Sequence, residues 1–283
     1  MNTKKLLSLI IAAAIVLCGC KATDPMENFY MYWNVQGEGD KTAGICVVYC
    51  SLETEEIQVP ETISGQKVVE IGSAKVGDNP YKGAFEECPS SVKRIIIPEG
   101  VYEIDERVFA DSISIENVVL PQSLEILGEN VFYYCESLDN MAVPENITEL
   151  PKGLFTGCKS LKTVTLSKEL TSIGNQSFYG CGSLEKIELP PTLTSIGELA
   201  FASCKSLSEI TLPEGLVSIG EFAFDKCKSL TDITLPDSLE VLGKDAFDEC
   251  FDITVHYGGE EFGYDELGVL YEGLRAEESV VVY

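Results

Sequence analysis

A single histidine, His256, in 283 residues removes every catalytic scheme that needs two imidazoles. A Ser-His-Asp arrangement would depend on that one residue. Basic residues are also scarce, 20 Lys and Arg against 46 Asp and Glu, for a formal charge of −26. Removing Lys4 and Lys5 with a leader would make it −28. This balance excludes nucleic acid and electrostatic adhesion to an anionic membrane, and favours solubility or cationic partners. No GxSxG, P-loop or HExxH motif occurs. Paired carboxylates such as Asp265-Glu266 and Glu277-Glu278 would suit glycoside hydrolysis, but this composition supplies such pairs by chance. No catalytic residue, cofactor or metal site is expected.

What the chain has instead is a ladder. Phe85, Phe109, Phe132, Phe155, Phe178, Phe201, Phe224 and Phe247 recur every 23 residues, with one step of 24. Three residues after each comes a cysteine (Cys88, Cys135, Cys158, Cys181, Cys204, Cys227, Cys250), with Ser112 the one substitute. An alternating triplet such as Ile210-Thr211-Leu212 follows, with the period of a strand that has one buried face. Pro98, Pro121, Pro144, Pro190, Pro213 and Pro236 then end each strand at the same place, and Ser167 replaces the proline once. A second apolar pair (Leu170 and Ile173, for example) precedes a glycine at 128, 174, 197, 220 and 243, where a turn with positive φ is expected. Asp105 and Pro151 depart from that column.

One 23-residue coil cannot bury enough apolar surface to offset the entropy of ordering it. Stacked coils can, because their strands pair in a parallel sheet and their Phe and Leu columns fill one core. Eight coils at ~4.8 Å make a body roughly 40 Å long. Eleven cysteines in an exported chain would ordinarily signal disulfides. Here equivalent positions in neighbouring coils point the same way, which suits a stack of buried thiols better than the ~90° disulfide torsion. Cys46 and Cys50 stay open between pairing, metal binding and simple burial.

The run from Ser183 to Cys227, SLEKIELPPTLTSIGELAFASCKSLSEITLPEGLVSIGEFAFDKC, resembles the BspA-like, or treponemal, leucine-rich repeats of bacterial surface proteins. Glu56 to Gly72 resembles the opening repeat, with a loop expected around Gly77, Asp78, Asn79 and Pro80. The resemblance implies an α/β-type repeat: a right-handed leucine-rich-repeat solenoid of about eight 23-residue coils with a parallel sheet on its concave face. It also implies display at the cell surface for binding, with no catalytic residues to carry over. The chain divides into a leader (1–20), a tether and N-terminal cap (21–54), the repeats (55–257) and a C-terminal cap (258–283).

In the leader, Lys4 and Lys5 precede an apolar stretch from Leu6 to Leu17 that is too short for a spanning helix. Leu17-Cys18-Gly19-Cys20 resembles a bacterial lipobox, so Cys20 is expected to become a lipidated N-terminus that anchors the protein to the envelope membrane. An ordinary secretory signal, or cleavage before Cys18, is the alternative. Trp33, Tyr30, Tyr32 and Tyr49 read as a hydrophobic cap on the first coil or as a sugar-stacking platform.

Two columns of the strand face outward and form the candidate binding face. One holds Arg94, Asn117, Asn140, Thr163, Lys186, Glu209 and Asp232. The other holds Ile96, Val119, Ala142, Thr165, Glu188, Thr211 and Thr234. Ile96, Val119 and Ala142 make an apolar strip beside amides, the first choice for a contact patch unless the Gly77 to Pro80 loop shields it. A protein ligand, met in adhesion to a host or neighbouring cell, is expected. Rival readings are a glycan binder, a hydrolase using His256, and a structural envelope spacer. Phe262, Tyr264, Leu267, Leu270, Tyr271 and Leu274, with Val280 to Tyr283, supply a cap, or a second binding site.

Overall fold

The computed structural model describes residues 29–35, 44–50, 54–63, 65–76 and 79–274. Over these the chain is a leucine-rich-repeat solenoid of about eight turns with 23 residues per turn. Each turn has three sides. The first carries the expected strand. Its strands line up as Glu56–Gln58, Arg94–Ile96, Asn117–Val119, Asn140–Ala142, Thr163–Thr165, Lys186–Ile187, Glu209–Ile210, Asp232–Thr234 and Thr254–Tyr257, paired in four successive groups that form the first ladder. Paired strands are parallel and in register, Arg94 beside Asn117 and Lys186 beside Glu209. Inward residues alternate with outward ones, so Ile95, Val118, Met141, Val164, Ile187, Ile210 and Ile233 are buried.

The second side carries a ladder that the sequence pattern did not announce. Ser172–Ile173, Ser195–Ile196, Ser218–Ile219 and Val241–Leu242 pair in parallel, continuously from Glu149–Leu150 onward. Nearer the N-terminus the same side pairs Gln66–Ile71, Glu103–Ile104 and Ile126–Leu127. It is extended there by Gly44–Cys50 and an antiparallel strand, Phe29–Val35. The residues expected to loop out beyond Ile71 form an antiparallel hairpin, Ser73–Val76 with Asn79–Gly83.

The third side has no strand, yet it is hydrogen-bonded as regularly as the others. From Phe109 onward the residues two before and two after each Phe lie in the left-handed region, as with Leu199 (φ 55°) and Ser203 (φ 62°) around Phe201. That alternation turns every second N–H toward the next coil: Gln176, Phe178 and Gly180 donate to the carbonyls of Glu198, Ala200 and Ala202, each at 2.8 Å. The phenyl rings stack along the axis with centroids 5.1 to 5.5 Å apart. Among the described residues helix is confined to the C-terminal segment, a 3-10 turn at Tyr264–Glu266 and an α-helix at Leu267–Gly273.

The glycine column corrects the expectation of positive φ. None of Gly128, Gly174, Gly197, Gly220 and Gly243 lies in the left-handed region. Glycine is needed there because the coils approach too closely for a side chain. A Cβ on Gly174 would stand 2.6 Å from the Leu150 carbonyl oxygen and 2.9 Å from the Lys152 nitrogen, both backbone. Gly174→Ala is therefore expected to cost about 1–3 kcal/mol. Gly182→Ala, whose Cβ would meet nothing nearer than 4.0 Å, should stay within about 0.5 kcal/mol when both variants are unfolded in urea.

From Cys135 onward the cysteine column is a row of free, buried thiols, and Cys88 at its head is half-buried. Each S–H donates to the carbonyl of the Phe one coil earlier, from Cys135 to Phe109 at 3.1 Å through Cys250 to Phe224 at 3.1 Å. Ser112 does the same, donating to the Phe85 carbonyl at 2.5 Å. The slot therefore calls for a small donor. Burial pushes these thiols well above their ordinary pKa, Cys250 up to about 12. Cys46 is likewise free and buried. Four residues apart on one strand, Cys46 and Cys50 are separated by about 13 Å, beyond disulfide reach.

At the C-terminal end, other groups take the bonds a further coil would have made. The Phe247 N–H donates to the Tyr271 hydroxyl oxygen at 3.1 Å, the Glu249 N–H reaches the Tyr264 hydroxyl at 3.4 Å, and the Leu242 N–H donates to the Leu274 carbonyl at 3.0 Å. Glu260–Gly263 pairs antiparallel with Thr254–Tyr257 and covers the first ladder's edge. Tyr271→Phe strands the Phe247 N–H and is expected to cost about 1–3 kcal/mol in equilibrium unfolding.

Candidate functional site

The outward residues of the first ladder come from consecutive coils, so the fold places Arg94, Asn117, Asn140, Thr163, Lys186, Glu209 and Asp232 in one column. Ile96, Val119, Ala142, Thr165, Glu188, Thr211 and Thr234 form the column beside it. Val119 is 37% exposed and Ala142 is exposed, whereas Ile96 is half-buried. The apolar strip is thus centred on Val119 and Ala142.

Neighbouring side chains on this face are paired across strands. Arg94 bonds Glu56 at 3.2 Å, the Asn117 amide N–H donates to the Asn140 amide oxygen at 3.3 Å, and Lys186 bonds Glu209 at 3.0 Å. A further column, one residue upstream, was missed in reading the sequence because it lies just outside the strand. There Lys93 meets Glu116 at 3.3 Å and Lys162 meets Asp139 at 2.8 Å. Its signal was present as charges of both signs at 23-residue spacing. All these pairs are largely exposed and add little stability. Their effect is electrostatic: from Lys93 to Lys162 the face balances three cations against two anions within a strongly acidic chain.

Two shallow depressions indent the face. One of about 590 Å³ is lined by Arg94, Glu116, Asn117, Asp139, Asn140 and Lys162, with Ser137 and Ser160 at its rim. The other, about 480 Å³, lies between Lys186, Glu188, Glu209 and Thr211 and the prolines Pro191 and Pro213. Both are open, and neither contains the histidine.

His256 stands at the end of the column that runs from Ile96 to Thr234. Its Nε2 lies 2.7 Å from an Asp232 carboxylate oxygen, and its Nδ1 lies 3.6 Å from Glu261. The Asp232 contact raises its pKa. A carboxylate partner is therefore in place, and both ring nitrogens face carboxylates rather than a hydroxyl nucleophile. Among the described residues no group of three His, Cys, Asp or Glu side chains is arranged to hold a metal ion. Cys20 and the whole leader lie outside the described residues, as do the side chains of Tyr30, Tyr32, Trp33 and Tyr49.

The sequence profile of the BspA type leucine rich repeat region matches six copies, over residues 81–206 and 171–258. The chain belongs to this family. Among solved structures, a leucine-rich repeat protein from Bacteroides ovatus is 27% identical with a TM-score of 0.56, covering 81% of this chain and 63% of that one. A leucine-rich repeat protein from Eubacterium ventriosum is 22% identical with a TM-score of 0.56, covering 75% of this chain and 63% of that one. The T. pallidum leucine-rich repeat protein is 22% identical with a TM-score of 0.47, covering 83% and 81%. The chain spans just under two thirds of the first two proteins, and what these likenesses share is the fold. Among curated proteins, none matches the sequence closely enough to lend it a function. Leucine-rich repeat proteins commonly bind proteins and are generally non-catalytic, which fits the open, paired surface described here. No helix among the described residues is long and apolar enough to cross a membrane.

Proposed function

We propose that this BspA-type repeat protein is an exported lipoprotein, anchored through Cys20 and displayed at the cell surface, that binds a protein ligand and performs no chemistry. Its role on this reading is adhesion to a host or neighbouring-cell protein. The observation that carries it is the Lys93 to Lys162 part of the first ladder. Near charge balance, the exposed Val119 and Ala142 and the adjoining 590 Å³ depression coincide there. Desolvating a near-neutral patch with apolar groups at its centre costs a protein partner little, whereas the acidic remainder repels most partners.

The test is a pull-down of extracellular-matrix and bacterial surface proteins, comparing the protein with an Ile96→Glu, Val119→Glu double variant of unchanged circular dichroism. The reading requires a saturable protein partner that the variant loses. Equal capture by both would remove binding from this face. Anchoring is tested separately by metabolic labelling with an alkyne fatty acid, which Cys20→Ser should abolish.

A further inference from the structure

Strand pairing lapses on two sides of the solenoid at once in one place. On the first side it lapses between Asn117–Val119 and Asn140–Ala142, between Thr163–Thr165 and Lys186–Ile187, and between Glu209–Ile210 and Asp232–Thr234. On the second side it lapses between Ile126–Leu127 and Glu149–Leu150. Among the described coils that carry both strands, the Asn117 and Asn140 coils are therefore the one neighbouring pair joined by neither ladder.

The second-side lapse has its cause in the sequence. The residue after each short strand there donates its N–H to the preceding coil: Gly128 to Ile104, Gly174 to Leu150, Gly197 to Ile173, Gly220 to Ile196 and Gly243 to Ile219, at 2.7 to 2.9 Å. Pro151 holds this position in the Asn140 coil and has no N–H to give. Asp105, the other departure from glycine, still donates to the Ile71 carbonyl at 2.9 Å, and its strand stays paired. The missing donor, rather than the loss of glycine, interrupts the ladder.

The third side stays closed across the same interface. Asn130, Phe132 and Tyr134 donate to the carbonyls of Lys152, Leu154 and Thr156 at 2.9, 3.0 and 2.7 Å, and Lys159 meets Glu136 at 2.7 Å. The first side is bridged by the Asp139 N–H, 3.1 Å from the Glu116 carbonyl, and by the exposed Asn117–Asn140 amide pair. Met141, the one methionine of the repeats, points into the core there and is 4% exposed.

We infer that this interface is a hinge. The coils before it and the coils after it flex as two bodies about the bonded third side, and the joint opens on the first and second sides. Coils in a solenoid are held by nearest-neighbour links, so the link with neither ladder is the one that opens at least cost. The 590 Å³ depression straddles the joint, with Glu116 and Asn117 on one side and Asp139 and Asn140 on the other. Where that depression takes a protein, its seat widens and narrows with the hinge; this consequence rests on the function proposed above, whereas the hinge itself does not.

The experiment is oxidation of the folded, full chain by hydrogen peroxide, with methionine sulfoxide at each position followed by mass spectrometry. Met141 reports on the hinge. Ile95→Met, a volume-conserving swap at a fully buried position whose coil is paired through both ladders to both neighbours, supplies the reference thioether. The inference requires Met141 to oxidise at least tenfold faster than the reference. Pro151→Gly, which restores the N–H, should slow Met141 at least threefold and leave the reference unchanged. Global unfolding exposes both thioethers alike, so their ratio reads local opening. Thermal melting confirms that each variant is folded, and if Pro151→Gly is not, the two thioethers in the chain that keeps Pro151 decide alone. Equal rates at the two positions, or a Met141 rate untouched in folded Pro151→Gly, would overturn the inference. No ligand enters the measurement, so the hinge and the proposed function succeed or fail separately.

Discussion

Raising the pH from 7 to about 9.5 is expected to remove on the order of 10 kcal/mol of stability and to unfold the protein cooperatively. Seven buried thiols, Cys46, Cys135, Cys158, Cys181, Cys204, Cys227 and Cys250, are held protonated in the folded chain chiefly because burial penalises the thiolate. In the unfolded chain each titrates near 8.5. Below that pH both states keep the protons and the stabilisation is fully present. Above it only the unfolded chain releases them, so stability falls as pH rises, by about 1.4 kcal/mol per thiol one unit above 8.5. Seven such contributions compare with a total stability of about 5–15 kcal/mol. The check is urea unfolding between pH 7 and 10.5. Because Ser112 already fills the thiol slot with the same hydrogen bond, a Cys158→Ser, Cys181→Ser, Cys204→Ser variant should unfold at higher pH. Stability unchanged to pH 10.5 would contradict the account of the cysteine column.

Phe178→Ala is the second large effect, an expected loss of about 3–5 kcal/mol. The ring is fully buried between Phe155 at 5.4 Å and Phe201 at 5.1 Å, and its removal opens a cavity in the middle of the stack. Collapse into that cavity is resisted on two sides. The backbone of the coil is tied to its neighbours through both the Ser172–Ile173 strand and the third-side bonds of Gln176, Phe178 and Gly180. Because stability in a stacked array passes from neighbour to neighbour, the melt should also broaden as the halves on either side uncouple. Differential scanning calorimetry separates the outcomes: a sharp transition lowered by only a degree or two would argue against a continuous core.

The Phe and Cys columns were legible because each position repeats with one residue type, and the outward columns followed from simple alternation. The second ladder was not legible. Its strands are only two residues long, as in Ser195–Ile196, too short to display a period of two. The glycine column was visible, but its cause was not, since close approach between coils depends on the stacking distance rather than on local turn chemistry. The left-handed positions were hidden for a related reason. Leu199, Phe222 and Asp245 occupy them without being glycine, held there by the third-side hydrogen bonds. On the candidate face the strand pattern gave Asn117, Val119 and Asn140. The Lys93, Glu116, Asp139 and Lys162 column lies one residue outside that pattern and needed the coordinates to be recognised as part of the same depression.

The most direct test of the central claim, that the first-ladder face is the protein-binding surface, is photo-crosslinking from one position on each side of the solenoid. A benzophenone amino acid would replace Val119 on the first side, Val217 on the second and Tyr179 on the third, all about equally exposed at 37%. With the protein displayed on cells and mixed with extracellular-matrix and bacterial surface proteins, the account predicts a discrete protein adduct from position 119 and none from 217 or 179. A protein adduct from 217 or 179 with none from 119 would contradict it.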